Sequence, residues 1–409
     1  MVEQRADLTF KYNLKKGRHG WLRLTPAYSI KIVQQILDEN PDMTYVLDPF
    51  SGTGTTGLVC AERAVRCDLL DINPFLVWFA RAKTASYQLA DLQLARESSA
   101  LLCRYAEKLP SRNGFWIPPI HNIQRWWPEN RLDVLARVFV ALNQQLPAPA
   151  PVKDLLLIAF CNLIISWSNA AFNHQSLSFK ENDGQQLSLF DEEQQIYAHF
   201  VEWVDDLTRA AEEPLSGKVT VRQADSRCIP QPQQGEYDGV ITSPPYPNRM
   251  SYIRELRPYM YWLGYLKDGR EAGELDWQAI GGTWGIATSR LETWESQDTP
   301  FLDSEFQTMI ASIAQKGPAL AKYVQRYFVD IASHLQSLCP VLQCGAKVFY
   351  IVGNSRFYDT LVPVEQIYAK LLEANGFVNT SITAIRKRNS KKELFEYIVA
   401  AQRGSHDTP

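Results

Sequence analysis

Residues 44–57 read TYVLDPFSGTGTTG, and few stretches restrict a fold so tightly. A β-like run at 44–48 ends in an acid, turns through Gly52-Thr53-Gly54-Thr55-Thr56-Gly57 and leads into a helical pattern over 55–64. A strand that passes through G-x-G-x-x-G into a helix belongs to α/β proteins. The glycines let the backbone turn tightly and approach a ligand, and the helix aims its N–H groups at whatever lies there. A second β-like segment, 65–71, ends at Asp71, 23 residues beyond Asp48, where a carboxylate can accept both hydroxyls of a ribose. The pattern predicts a nucleotide-type cofactor; a tight turn with no ligand is the alternative.

Further β-like segments fall at 219–223, 238–242, 346–353, 379–386 and 394–401, with helical periodicity at 29–39, 74–86, 320–339 and 362–375. That alternation predicts a mostly parallel sheet covered on both faces. The last two strands are joined by the short basic RKRNSKK, which predicts a hairpin and an antiparallel strand at one edge. Three regions follow: 1–86 as the first part of a catalytic domain, 87–218 as a helical insertion, and 219–409 as the remainder. Within the insertion, 152–172 reads as helical and the polar stretch NDGQQLSLFDEEQQ, 182–195, as mobile. Residues 267–303 read as a second irregular segment.

Composition is that of a globular protein, with 409 residues, 45% hydrophobic and 21% charged. No run approaches the roughly 18 apolar residues of a membrane span, and the first residues lack the apolar core of a signal peptide, so a cytoplasmic location is expected. Seven scattered cysteines without a C-x-x-C pair fit a reduced chain, and no metal site is expected. The formal net charge of −3 leaves nucleic-acid binding to local basic faces. Two clusters stand out, Lys15-Lys16-Gly17-Arg18-His19 and Arg386-Lys387-Arg388 with Lys391-Lys392 beyond it. Solvated surface is the default reading of such runs.

The other demanding stretch is VITSPPYPN, 240–248. Three prolines suit neither a helix nor a central strand, because each lacks an N–H and fixes φ. At the carboxyl end of a strand in an open sheet, however, such residues stand beside the ligand. Ser243 and the Pro244 carbonyl are two acceptors on a backbone that Pro244 and Pro245 hold rigid, and Tyr246 adds a flat ring. Which cofactor lies opposite? Asp48-Pro49-Phe50 before the glycines suits a pyrophosphate poorly, since the acid would repel it. It suits S-adenosylmethionine, which carries an ammonium and a sulfonium.

DPFSGTGTT, DINP and TSPPY together resemble motifs I, II and IV of the amino-methyltransferases of DNA, and HGWLRLTPAYS resembles their motif X. The resemblance covers roughly 18–86 and 219–402. It implies a Rossmann-like methyltransferase sheet that binds S-adenosylmethionine. Asp48, Phe50, Ser51, Gly52 and Gly54 would surround the methionine end, with Asp71 on the ribose, Asp225 facing the adenine amino group, and Thr25 and Pro26 closing the pocket. Ser243 and Pro244 would accept hydrogen bonds from an exocyclic amino group, and Tyr246 would stack a base that has left the duplex. In that family S-P-P-Y accompanies cytosine N4 methylation and D-P-P-Y adenine N6 methylation. Cytosine C5 methylation needs a thiolate in Pro-Cys, a pair this chain lacks.

Double-stranded DNA is the implied partner; a restriction endonuclease acting on the same site is a second, with a solitary modification enzyme as the alternative. Asn248 and Arg249 are the nearest candidate DNA contacts. Arg386, Lys387 and Arg388 are candidate phosphate grips. The helix pattern after Arg249, rich in Arg and Tyr, reads equally as a DNA-facing surface or as an inward-packed element. Recognition falls to 87–218, to 267–303 or to both; in the former His121, Arg125, Trp126, Trp127 and His174 are binding candidates, although tryptophans in a helical insertion are more often core. The rival readings are adenine N6 methylation, RNA methylation on the same fold, a nicotinamide-dependent oxidoreductase using the glycine loop, and a DNA-binding protein without catalysis.

Overall fold

A computed structural model of the chain describes residues 5–24, 27–111, 114–144, 150–171, 178–179, 189–248, 251–282, 286–295, 303–388 and 394–404. Seven strands form one sheet: β1 Tyr45–Asp48, β2 Arg66–Asp71, β3 Val219–Gln223, β4 Tyr237–Thr242, β5 Leu342–Gly353, β6 Phe377–Lys387 and β7 Phe395–Arg403. They lie in the order β6-β7-β5-β4-β1-β2-β3. This is a Rossmann-like methyltransferase sheet. β1 pairs in parallel with β2 and β4, β2 with β3, and β4 with β5. β7 runs antiparallel to both β5 and β6. The antiparallel strand is therefore inserted one place in from the edge, and β6, parallel to β5, is the outer strand. Hairpin closure requires only that β6 and β7 be antiparallel to each other, so the sequence does not say which is outermost.

Helices α1 Ile30–Glu39, α2 Thr55–Glu62 and α3 Pro74–Thr84 follow the predicted periodicity. Between β2 and β3 the insertion contributes α4 Leu89–Lys108, α5 Glu129–Gln144, α6 Ala150–Ser166 and α7 Leu189–Ala211. After β4 come α8 Tyr252–Trp262 and α9 Gly269–Gln278, and later α10 Pro318–Leu338 and α11 Val364–Ala374. Helix α7 begins inside the polar stretch 182–195; the part before residue 189 lies outside the described residues. The segment 267–303 is likewise largely helical where described, with α9 followed by a helix at Ile286–Thr293.

The insertion does not stand apart. Its α4–α7 share one apolar cluster with Phe75 and Phe79 of α3 and with Tyr259, Met260 and Trp262 of α8. Phe75 and Tyr259 stack in parallel planes, centroids 5.4 Å apart, an arrangement that adds roughly 1 kcal/mol beyond area burial. That settles the reading of α8 at Tyr259, Tyr261 and Trp262, which face inward. Trp126 and Trp127 are also core, and the Trp127 indole donates to the Ile164 carbonyl at 2.7 Å. The first basic cluster departs from the solvated reading too. Arg18 and His19 are buried. The Arg18 guanidinium donates to Ala85 O at 2.5 Å, Ala211 O at 2.9 Å and Glu213 O at 3.1 Å, clamping the end of α3 to the end of α7. Helix ends leave carbonyls without partners, and a buried guanidinium with five donors can satisfy several at once.

Candidate active site

The parallel strands end along one edge, and a cavity of about 680 Å³ opens there. Its walls come from four strand ends in turn: Phe50–Thr53 after β1, Asp71–Asn73 after β2, Ala224–Ser226 after β3 and Ser243–Tyr246 after β4. Ile253 and Leu256 of α8 and Gln278–Ile280 beyond α9 add to it, as do Leu8–Lys11, Leu24, Ala27 and Tyr28. Because β6 is parallel to β5 and β7 returns beside it, the hairpin brings Arg386–Arg388 and Glu396 to the same edge.

On the glycine-loop side, Gly52 takes φ +49°, in the left-handed region, and a Cβ there would meet nothing nearer than Phe50 O at 4.0 Å. The backbone is thus open to a close-lying ligand. Gly52 N–H donates to one Asp71 oxygen at 2.9 Å and Asn73 N–H to the other at 2.8 Å. Burial pushes the Asp71 carboxyl up to about 7, against the pull of these N–H groups. Ser51 is 3% exposed, lines the cavity, and its Oγ has no hydrogen-bond partner among the described residues. A buried hydroxyl without a partner calls for a ligand atom. Phe50 lies across the ring of His334, centroids 4.9 Å apart. His334 is fully buried, with Nδ1 to the Ser226 carbonyl at 2.9 Å and Nε2 to the Tyr350 hydroxyl at 2.7 Å. A carbonyl only accepts, so the proton sits on Nδ1; burial lowers the pKa to about 4 and keeps the ring neutral.

Two loop residues lie behind this wall instead of in it. Asp48 is completely buried and lines no part of the cavity. Its carboxylate accepts from Thr242 Oγ1 at 2.6 Å, Thr56 Oγ1 at 2.5 Å and Phe50 N at 3.1 Å, and burial raises its pKa to about 6. Placed there, the acid ties the glycine loop to the end of β4, and its charge does not reach the ligand space. Gly54, at φ +73°, opens α2 by accepting from Leu58 N–H at 3.0 Å and also faces away. Asp225 does line the cavity, in a bidentate ion pair with Arg227, whose Nη2 reaches Oδ2 at 2.6 Å. Burial works against its ionisation, but Arg227 holds the carboxyl below its usual range. Thr25 and Pro26 lie outside the described residues.

Across the cavity, Ser243, Pro244, Pro245 and Tyr246 form one wall. The Pro245 carbonyl is held by the Tyr327 hydroxyl at 2.7 Å, which fixes the turn from below. The Tyr246 hydroxyl donates to Glu396 Oε1 at 2.7 Å and shares a hydrogen bond with Ser243. Burial drives the phenol pKa well up, so it stays protonated and donates. The Arg388 guanidinium lies 5.0 Å from the centroid of that ring, and its Nη1 donates to Asn354 O at 2.7 Å. Arg386 forms a fork with Glu396, at 2.6 and 3.1 Å. These two arginines are therefore committed to the cavity wall and are not free phosphate grips; Lys387 also lines the cavity. Asn248 lines it as well, while Arg249 and His174 lie outside the described residues.

No protein-family model matches the chain. It is, however, similar over nearly its full length to M.AvaI of Nostoc, a Type II methyltransferase, at 21% identity over 95% of this chain and 86% of the relative. M.BsoBI of Geobacillus stearothermophilus, another Type II methyltransferase, matches at 20% over 98% and 87%, and M.MvaI of Kocuria varians at 22% over 90% and 81%. The similarity to Type II methyltransferases thus runs over most of the chain. The solved rRNA methyltransferase AviRa of Streptomyces viridochromogenes covers 92% of this chain and 86% of its own, at 12% identity and a TM-score of 0.28, too loose a superposition to add to this. Methyltransferase relatives and a methyltransferase sheet imply S-adenosylmethionine as the cofactor. The open Gly52 backbone, the unpartnered Ser51 hydroxyl and the paired carboxylates Asp71 and Asp225 fit that group. Among the described residues no helix could cross a membrane, and no His, Cys, Asp or Glu cluster could hold a metal ion.

Two residues of the site escape motif reading. Lys83 of α3 is buried and its Nζ donates to Thr53 O at 3.0 Å, bracing the glycine loop from behind. Glu396 is the other. Glu396 leaves a trace in the sequence, an acid inside the apolar strand LFEYIVAA, where a charge needs a partner.

Proposed function

We propose that this chain is a site-specific DNA methyltransferase that modifies the exocyclic amino group of an everted base, cytosine N4 in preference to adenine N6. The observation that carries the reading is a single cavity joining the Gly52–Asp71 cradle to the Ser243–Tyr246 wall. The Type II methyltransferase relatives support DNA as the substrate. Serine at position 243, where adenine enzymes of the resembling family carry aspartate, favours cytosine.

S-adenosylmethionine supplies, when bound, a methyl group on a positively charged sulfur. The residues of this chain do the rest. Asp71 would accept from ribose hydroxyls, Asp225 would face the adenine amino group, and Ser51 Oγ, the Gly52 backbone and Phe50 would hold the methionine portion. An aromatic amino group is a poor nucleophile because its lone pair is delocalised into the ring. Ser243 Oγ and the Pro244 carbonyl accept its two N–H hydrogens and draw the lone pair back onto nitrogen. Both prolines hold these acceptors in place before the base arrives, so no reorganisation is needed at the moment of reaction. Tyr246 supplies the stacking face and Ile253 and Leu256 an apolar flank. Asn248 and Lys387, which line the cavity, are read as contacts to the DNA, with Arg249 a further candidate that lies outside the described residues. The exposed side of the insertion, with His121 and Arg125 on it, is read as part of the recognition surface, and a restriction endonuclease acting on the same site as the partner. A cytoplasmic location belongs to the same reading.

Asp71 gives a pH test. Only the ionised carboxylate accepts from both ribose hydroxyls, and its pKa in the free protein is raised to about 7 by burial. Affinity for S-adenosylhomocysteine, measured by calorimetry, should be full above that pH and fall as pH drops below it, by up to about tenfold per unit. Asp71→Asn should bind weakly with little pH dependence.

The function itself is tested by supplying labelled S-adenosylmethionine with assorted DNA duplexes and analysing the nucleosides. N4-methylcytosine is expected. 5-Methylcytosine would overturn the mechanism, N6-methyladenine only the choice of base, and transfer confined to RNA the choice of polymer.

A further inference from the structure

The hairpin that reads as a phosphate grip contains a buried acid aimed at the base wall. We propose that Glu396 is a positioning residue for the target base, acting through the hydroxyl of Tyr246 and held in turn by Arg386. The proposal rests on the reading of Ser243–Tyr246 as the base socket.

Glu396 is 3% exposed, yet it lines the cavity. In the sheet it stands between Gly353 of β5 and Arg386 of β6. Oε1 accepts from the Tyr246 hydroxyl at 2.7 Å and from Arg386 Nη2 at 3.1 Å, and Oε2 from Arg386 Nε at 2.6 Å. A buried carboxylate is costly unless paired, and the planar guanidinium fork of Arg386 supplies that pairing while Oε1 also accepts from the phenol. The ring is bounded on other sides as well. A Cβ on Gly353 would come within 2.9 Å of Tyr246 Cε2 and 2.6 Å of Arg388 Nη1, so glycine there leaves room for both.

A ring that merely filled space would need no hydroxyl, and phenylalanine would fill it without burying a charge. Here the hydroxyl ties the ring to a buried ion pair and to Ser243. The network therefore sets both the stacking face and the acceptor for the amino group. A sub-ångström error at either would slow transfer far more than it would weaken cofactor binding, because the cofactor cradle belongs to β1 and β2.

The test is a double-mutant cycle of Glu396→Ala and Glu396→Gln, alone and with Tyr246→Phe, read by single-turnover methyl transfer and by S-adenosylhomocysteine affinity. Glu396→Ala should lower the transfer rate about tenfold or more with cofactor affinity within about twofold. Added to Tyr246→Phe it should cost less than about twofold, since the hydroxyl it acts through is gone. Glu396→Gln, which keeps an acceptor, should recover most of the rate. Equal losses in both backgrounds, or parallel loss of cofactor affinity, would overturn the proposal. Crystal structures of Glu396→Gln and Glu396→Ala give an answer independent of activity. A Tyr246 ring that swings in the alanine variant alone is expected, and an unmoved ring in both would overturn the proposal even if DNA proved to be the wrong substrate.

Discussion

Ser243→Ala is expected to cut single-turnover methyl transfer roughly 100- to 1000-fold, the loss that follows removal of one preorganised hydrogen-bonding group from a site where charge develops. The size follows from position. Ser243 directly follows β4 on the cavity wall and shares a hydrogen bond with Tyr246, while Pro244 and Pro245 leave the backbone no slack. The remaining acceptor, the Pro244 carbonyl, can engage one N–H but cannot replace the second. Affinity for S-adenosylhomocysteine should stay within about twofold, because Ser51, Gly52 and Asp71 come from the loops after β1 and β2. A variant that kept a fifth or more of the wild-type rate would remove Ser243 from the chemistry.

Asp48→Ala should be the most destabilising change in the loop, and it should act on the fold before it acts on the ligand. The substitution strips acceptors from Thr242 Oγ1, Thr56 Oγ1 and Phe50 N–H in a site with no access to water. Each buried donor left unsatisfied costs about 1–3 kcal/mol, so a total of about 3 kcal/mol or more is expected, read as a lower denaturant midpoint. Asp48→Asn keeps an acceptor and should cost less, with a revealing pH dependence. The carboxyl pKa is raised to about 6 by burial, above an unfolded value of about 3.9. The native state thus holds its proton longer, and the contribution of Asp48 is full below the unfolded pKa and is lost as pH rises through about 6. The advantage of wild type over Asp48→Asn should shrink between about pH 4 and pH 7. A constant difference would place the charge of Asp48 in contact with solvent.

That behaviour also shows where sequence reading works and where it stops. All seven sheet strands are legible as β-like runs set between helical patterns and turns, and three of them, β1, β2 and β5, end at Asp or Gly. The short pairs Ala170–Ala171 with Ser178–Phe179, and Ser355–Phe357 with Thr360–Val362, were not, since two or three residues carry no period. Asp48 and Ser51 share one motif and Asp71 opens the next, yet only Ser51 and Asp71 face the cavity. The motif fixes their order along the chain, whereas direction depends on Thr56 and Thr242, which come from α2 and β4. Basic runs misled for the same reason. Arg18 finds helix-end carbonyls from α7, 193 residues away, and Arg386 finds Glu396 across the hairpin. Partners brought in by topology decide whether a charge is surface, clamp or site, and topology is what a single chain read linearly leaves open.

The central claim, that cofactor and target amino group meet in one cavity at the ends of β1 and β4, is tested most directly by a crystal structure with S-adenosylhomocysteine and a cognate duplex. The account predicts the ribose on Asp71, the adenine beside Asp225 and an everted base on Tyr246 with its amino group at Ser243. S-adenosylhomocysteine seated away from Ser51 and Asp71, or a base bound on a different surface with Ser243 untouched, would contradict it.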